Sequence, residues 1–141
     1  MSDDKFFLDT NILVYSFDPL EPQKACMAEK LITQGLTSGL GVISYQVTQE
    51  FVNVALRRFT DAMTFPELER YFFRVLLPLM KVSSSAPLFL QGLQLQLSKK
   101  LSWYDSLIVA AALHGNCKVL YSEDLQHGQR FGDLVVQNPF L

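Results

Sequence analysis

Lys5-Phe6-Phe7-Leu8-Asp9-Thr10-Asn11-Ile12-Leu13-Val14-Tyr15 sets one carboxylate inside an otherwise apolar run near the start of the chain. Burying an unpaired carboxylate is costly, so an acid in such a setting has a cation or strong hydrogen-bond donors beside it. Glu50, Asp105 and Asp124 sit in similarly apolar surroundings farther along. That repetition points to a metal site. The run from Lys5 to Leu8, ending at a polar triplet, predicts a buried strand.

Outward from this strand, Ile12 to Phe17 is expected as a short helix closed by Asp18-Pro19. Pro22 to Leu36 has helical spacing in Ala25, Ala28, Leu31 and Ile32, with Gly35 and Gly39 near its end. Gly41 to Ser44 predicts a second strand, and Tyr45 to Phe59 a helix with Val47, Phe51, Val54 and Ala55 on one face. Thr64-Phe65-Pro66-Glu67 has capping-box spacing and an early proline, so a helix starts there and runs toward Leu79. Lys81 to Ser83 is a candidate third strand, and Pro87 to Lys99 a further helix. Ser102-Trp103-Tyr104-Asp105 repeats the capping-box spacing and opens a helix through His114, stopped by Gly115-Asn116. Cys117 to Tyr121 and Leu134 to Val136 complete the strands. Strands alternating with helices predict a three-layer α/β/α sandwich on a mainly parallel sheet of four to five strands.

The 141 residues suit one compact domain, 1–141, with a sizeable core. Hydrophobic residues make up 49% and charged residues 18%, which excludes a disordered chain or a solvated fibre. The apolar surplus fits a partner-covered surface, and equally a core rich in the 11 phenylalanines. A net charge of -2 gives no general attraction to nucleic acid, although a metal in an acidic site reverses the local sign. Two cysteines, Cys26 and Cys117, build no disulfide framework and fit a reducing compartment. The acidic start Met1-Ser2-Asp3-Asp4-Lys5 lacks a signal-peptide core, and charges interrupt every run long enough to span a bilayer. A cytoplasmic location and no membrane association are expected.

In a parallel α/β sheet, ligands collect at the carboxyl ends of the strands. Asp9 follows the first strand and Asp124 lies just past the fourth. A crossover helix starts at that same edge. Asp105 is in the first turn of one such helix, and Glu50 in the second turn of another, roughly 9 Å along its axis at 1.5 Å per residue. Glu50 shares the stripe of Val47, Phe51 and Val54, and Asp105 stands one turn before Ile108 and Val109, so both are expected on apolar faces. Clustered carboxylates repel, and a hard divalent cation resolves the conflict. With no His or Cys placed among these acids, Mg²⁺ or Mn²⁺ is favoured, one ion or two. Such a site suits phosphodiester hydrolysis by an activated water. Each acid also has a plain structural reading: Asp9 as a helix cap, Glu50 as a solvated helix acid, Asp105 as a capping-box acid, Asp124 as a turn residue. Taken together, those four readings leave the shared location to coincidence.

With these residues assembled, the chain resembles the PIN-domain family of metal-dependent ribonucleases, especially the single-domain toxin ribonucleases of VapC type. The resemblance rests on Phe7 to Tyr15, on Gln49-Glu50-Phe51, on Trp103 to Ile108, and on Leu120 to Gly128, in that order along the chain. It implies that Asp9, Glu50, Asp105 and Asp124 carry the metal site and catalysis, with Thr10, Asn11 and Ser122 in support. No core acid is missing, so a catalytically competent endoribonuclease is expected. Asp9, Asp105 and Asp124 would be the main ligands, and Glu50 would hold a second ion, or a metal-bound water, on the opposite side. The resemblance further implies an RNA substrate, a homodimer and a small antitoxin protein as partner. Two other readings stay open: a PIN-like module that binds RNA or protein without cutting, and an RNA-processing nuclease without an antitoxin.

Arg57-Arg58, Lys99-Lys100 and Arg130 are candidates for phosphate contact, with Lys99-Lys100 more in keeping with ordinary solvated surface and Arg130 favoured by its closeness to the last acid. His127 could approach substrate or simply occupy a turn. His114 with Cys117 has ligand-like spacing but no partners, which fits a helix end and a buried strand thiol better. A phosphatase of haloacid-dehalogenase type needs a second Asp at the position of Asn11, and a receiver domain needs an acid pair at its first strand. Neither requirement is met.

Overall fold

The computed structural model describes residues 3–59 and 63–141, so the reading of Met1-Ser2 lies outside it. In chain order the elements are β1 (Phe6–Leu8), α1 (Thr10–Tyr15), α2 (Pro22–Ser38), β2 (Gly41–Ser44), α3 (Tyr45–Arg58), α4 (Phe65–Tyr71), α5 (Leu77–Leu79), β3 (Met80–Val82), α6 (Ala86–Lys99), α7 (Trp103–His114), β4 (Val119–Tyr121), β5 (Arg130–Phe131) and β6 (Leu134–Gln137). A π-helical stretch, Phe72–Leu76, joins α4 to α5.

The strands form one sheet in the order β3-β2-β1-β4-β6-β5. Every pairing is parallel except β5 with β6. The chain winds outward from β1 through β2 to β3, then crosses back to lay β4 on the other side of β1. The gap between the carboxyl ends of β1 and β4 is therefore the topological switch point, where open α/β sheets hold their ligands. Asp9 leaves β1 there, and Ser122 to Asp124 leave β4 there.

Helices cover both faces. On one side α1 packs on α2 and α3, and α2 packs on β2 and α5; on the other, α7 packs on β2 and β4 with α6 outside it. Residues Ser106 to Ala112 of α7 are all buried, as expected for a helix apolar around its whole circumference. On the first side, Phe51 stacks on Tyr71 at 5.2 Å, and Phe17 meets Phe51, Phe59 and Tyr71 at 5.1–5.9 Å between ring centroids. The phenylalanine-rich core is thus real, and an exposed apolar surface coexists with it on α6, where Phe89, Leu90, Leu93 and Leu97 face outward.

Several expectations need adjusting. The sheet has six strands, not four to five: β5 is two residues long, too short to leave a periodic signal, and pairs as a hairpin ahead of β6. The first helix begins at Thr10 rather than Ile12, because Asp9 caps it. The helix from Thr64 to Leu79 is continuous but changes pitch. Pro78 has no N–H to offer the carbonyl of Arg74, and the turn upstream widens into the π form. The capping box at Thr64 and Glu67 is formed in both directions. Among the described residues no helix is long and apolar enough to cross a membrane.

The approach of α2 to the sheet depends on two glycines. A Cβ built on Gly41 would lie 2.6 Å from the Cα of Gly35, and neither backbone has a flexible side chain to move aside. Gly41→Ala should therefore lower unfolding stability by about 1–3 kcal/mol in urea titration, the usual cost of overpacking a core. An unchanged midpoint would mean that the helix can lift from the strand.

Candidate active site

Asp9 occupies the point where β1 ends and α1 begins, with extended backbone (φ -70°, ψ 161°). Its own N–H donates to the Tyr121 carbonyl at 3.0 Å, continuing the β1–β4 ladder by one rung. Asp9 as a whole is 5% exposed. Oδ1 accepts the N–H of Thr10 at 2.7 Å, and Oδ2 accepts the hydroxyl of Ser122, also at 2.7 Å. Ser122 is fully buried, and its Oγ accepts the N–H groups of Asp124 (3.1 Å) and Leu125 (3.4 Å). Two backbone donors thus orient one hydroxyl, which points its proton toward Asp9. The helix-cap reading and the functional reading of Asp9 are compatible: the cap uses one lone pair on one oxygen.

The Thr10 hydroxyl donates to Glu50 Oε1 at 2.6 Å, tying the first turn of α1 to the second turn of α3. Asn11 Oδ1 accepts the Glu123 N–H at 3.4 Å, while Asn11 Nδ2 is buried with no hydrogen-bond partner among the described residues. Thr10, Asn11 and Ser122 therefore all touch the acids or the loop that carries them.

Burial raises the Asp9 carboxyl from the usual 3.8 to about 7, against the lowering effect of the Ser122 and Thr10 hydrogen bonds. The charges of Asp124 and Glu50 push in the same direction as burial. A hydrogen-bonded carboxylate that still titrates near neutrality is short of positive charge, and a cation at this point would return it to the ionised form. The donor set fits a hard ion: each Asp9 oxygen keeps a lone pair, and the carboxylates of Asp124 and Asp105 make no hydrogen bond among the described residues. No three His, Cys, Asp or Glu side chains among the described residues close around one point as a finished cage.

Next to Asp9, at Thr10 and Asn11, opens a cleft of about 620 Å³. Thr10, Asn11, Val14 and Tyr15 of α1 form one wall, and Glu50, Asn53, Val54, Arg57 and Arg58 of α3 form the other. Glu123 and Asp124 close one end. Glu123 is clamped by the Tyr15 hydroxyl (2.6 Å) and by the Lys24 ammonium (2.7 Å), which also lies over the Tyr15 ring at 4.7 Å. This fixes the loop after β4 to α1 and α2. Sequence reading missed the clamp, since Glu123 lies about a hundred residues along the chain from its two partners.

Of the four predicted acids, Glu50 and Asp124 line this cleft, and Asp9 is buried close enough to feel the charge of both. Asp105 stands outside the cleft lining, in the first turn of α7, half-buried, with its N–H capped by Ser102 Oγ at 3.2 Å. It remains a neighbour of α3, because the adjacent Tyr104 carbonyl accepts from Gln46 Nε2 at 3.3 Å. Arg57 and Arg58 line the cleft, whereas Arg130 lies exposed on β5 at the sheet edge and His127 holds the Asn138 N–H through Nδ1 at 3.0 Å. Lys99-Lys100 closes α6 away from the cleft lining. His114 is an exposed helix end, and burial pushes the Cys117 thiol up to about 12.

The raised Asp9 value gives a stability prediction for metal-free protein. Between 3.8 and about 7 the folded state holds a proton that the unfolded state has released, so stability falls as pH rises through that window. A tenfold change in proton affinity corresponds to about 1.4 kcal/mol. In EDTA, the melting temperature of Asp9→Asn relative to wild type should rise from about pH 4 to about pH 8, as the variant escapes that loss. Parallel curves would mean that Asp9 ionises freely.

Comparison with known proteins agrees with this fold. No curated protein sequence matches the chain. Among solved structures, a chain of the VapBC2 complex from Rickettsia felis, crystallised with a DNA fragment from its promoter, is similar with a TM-score of 0.63. The match covers 94% of this chain and 96% of that one at 18% sequence identity, a likeness of fold. A family model described as PIN domain matches residues 6–130, from the first strand past the last of the four acids. The chain belongs to the PIN domain family.

Proposed function

We propose that the protein is a metal-dependent endoribonuclease that hydrolyses RNA phosphodiester bonds, with residues 1–141 acting as one nuclease unit. The observation that carries this reading is the buried, doubly hydrogen-bonded Asp9 at the switch point, with Glu50 and Asp124 close enough for their charges to act on it. Asp9 and Asp124, with Asp105 and Glu50, would hold Mg²⁺ or Mn²⁺, one ion or two. Such an ion supplies a lowered water pKa and neutralises charge on the phosphate.

The chain's own residues do the rest. Ser122 and the Thr10 N–H fix the direction of the Asp9 oxygens, so that the acid does not spend time in unproductive rotamers. Thr10 holds Glu50 at the cleft wall, where its second oxygen is available to orient the attacking water. The Tyr15–Glu123–Lys24 clamp keeps Asp124 at the cleft end. No covalent intermediate is required.

The outward row Phe89, Leu90, Leu93 and Leu97 supports protein partners, since apolar patches of this kind are usually covered. A second copy of the chain and a small antitoxin protein are the proposed partners, and a cytoplasmic location fits two unpaired cysteines. The second reading, a PIN-like module that binds RNA or protein without cutting, draws on Asp105, which neither lines the cleft nor acts on Asp9 as Glu50 and Asp124 do.

Low-millimolar Mn²⁺ should stabilise the wild type, by about 2.7 kcal/mol at a hundredfold excess over the dissociation constant, and should not stabilise Asp9→Asn. Asp9→Asn should also lose Mg²⁺-dependent RNA cleavage by more than about a hundredfold, beyond the effect of losing an orienting partner, with its fold intact. Cleavage retained in a pure preparation of the variant would overturn the assignment. Absence of both metal stabilisation and cleavage in the wild type would favour the binding module.

A further inference from the structure

The α3 wall of the cleft continues past the acids. Glu50, Asn53, Val54 and Arg57 follow one another at helical spacing and line the same groove, with Arg58 beside them. Glu50 and Arg57 are two turns apart, about 10 Å along the axis at 1.5 Å per residue. The groove therefore carries the acids Glu50 and Asp124 in its lining and a basic pair at the last turn of α3.

Both arginines are exposed, and neither forms an ion pair among the described residues. Asp18, which also lines the groove, has Oδ1 engaged by the Leu20 N–H at 2.9 Å. A plainer role for the pair is to complement the negative end of the α3 dipole. That role needs no particular face of the helix. It leaves unexplained why Arg57 shares the face of Glu50 and Asn53.

We propose that Arg57 and Arg58 form a phosphate subsite that holds single-stranded RNA by a phosphate flanking the bond to be cut. The inference rests on the ribonuclease reading of the acids. Guanidinium groups grip a phosphate through paired N–H donors, and the separation from Glu50 suits a phosphate a nucleotide or two from the scissile one. Asn53, between the two ends, is positioned to meet the intervening sugar or base edge. The subsite gives the cleft a direction. It also gives the enzyme a minimum substrate length, since the shortest fragments cannot reach both ends.

The test compares wild type with Arg57→Gln/Arg58→Gln, Arg57→Lys/Arg58→Lys and Lys99→Gln/Lys100→Gln. Binding of a fluorescein-labelled single-stranded RNA oligonucleotide is followed by anisotropy in EDTA, across a salt series. At about 0.7 per contact on a single strand, removing two contacts should flatten the slope of log affinity against log salt by about 1.4. The lysine pair should keep the slope, and the Lys99/Lys100 variant should match wild type. In Mg²⁺, the glutamine pair should raise KM for RNA with kcat held. Melting temperatures within a few degrees of wild type show that each variant is folded. If wild type cuts RNA but the glutamine pair has an unchanged slope and KM, the subsite is wrong and the ribonuclease reading stands. If wild type neither binds nor cuts RNA, both fall.

Discussion

The bond from the Ser122 hydroxyl to Asp9 Oδ2 is the contact on which the rest of the site depends. It spans the ends of two neighbouring parallel strands, β1 and β4, at the place where the chain reverses its direction of winding across the sheet. A hydrogen bond to a buried carboxylate is worth more than a neutral one, and its loss would leave the acid short of a donor in a dry setting. The Ser122 hydroxyl is itself aimed by two backbone N–H groups of the following turn. The position of Asp124 and the orientation of Asp9 are consequently one structural fact, not two.

Around this point the protein keeps an excess of negative charge near an apolar floor and tolerates the cost. Along the chain Asp9 stands between Phe7-Leu8 of the strand and Ile12-Leu13 of its own helix, all four fully buried. The strain is electrostatic rather than steric. Thr10 and the Tyr15–Glu123–Lys24 clamp hold the neighbouring acids in place without neutralising Asp9. An arrangement that is rigid but deficient in positive charge is the condition in which a cation or a protonated acid has the greatest effect on chemistry.

Much of this was legible in the sequence. The alternation of strands and helices, the capping boxes and the apolar stripe around Glu50 located most elements to within a residue or two. The convergence of Asp9 and Asp124 followed from strand ends alone, and Glu50 from the height and face of its helix. Asp105 was harder, because helical phase places a residue on a face but does not say which cavity that face borders. Arg57 and Arg58 line the cleft and Arg130 does not, because closeness along the chain to Asp124 is a poorer guide to that lining than the helical phase shared with Glu50. The two-residue β5 and the π turn ahead of Pro78 left no periodic trace, and the Tyr15–Glu123–Lys24 clamp joins segments no local pattern relates.

The separation of Asp9 from Ser122, 113 residues along the chain, has a consequence for the order in which the protein is built. β1 is made first and ends up near the middle of the sheet, flanked by β2 and β4. β2 can join it early. The other flank, and the hydroxyl that lets Asp9 leave water, arrive only with β4. Until then the Asp9 end of the strand must remain hydrated, and the apolar residues beside it cannot be sequestered as they are in the finished molecule. Closure of the β1–β4 seam is therefore a late, non-local step, and a nascent chain carries its first acid long before it possesses a site.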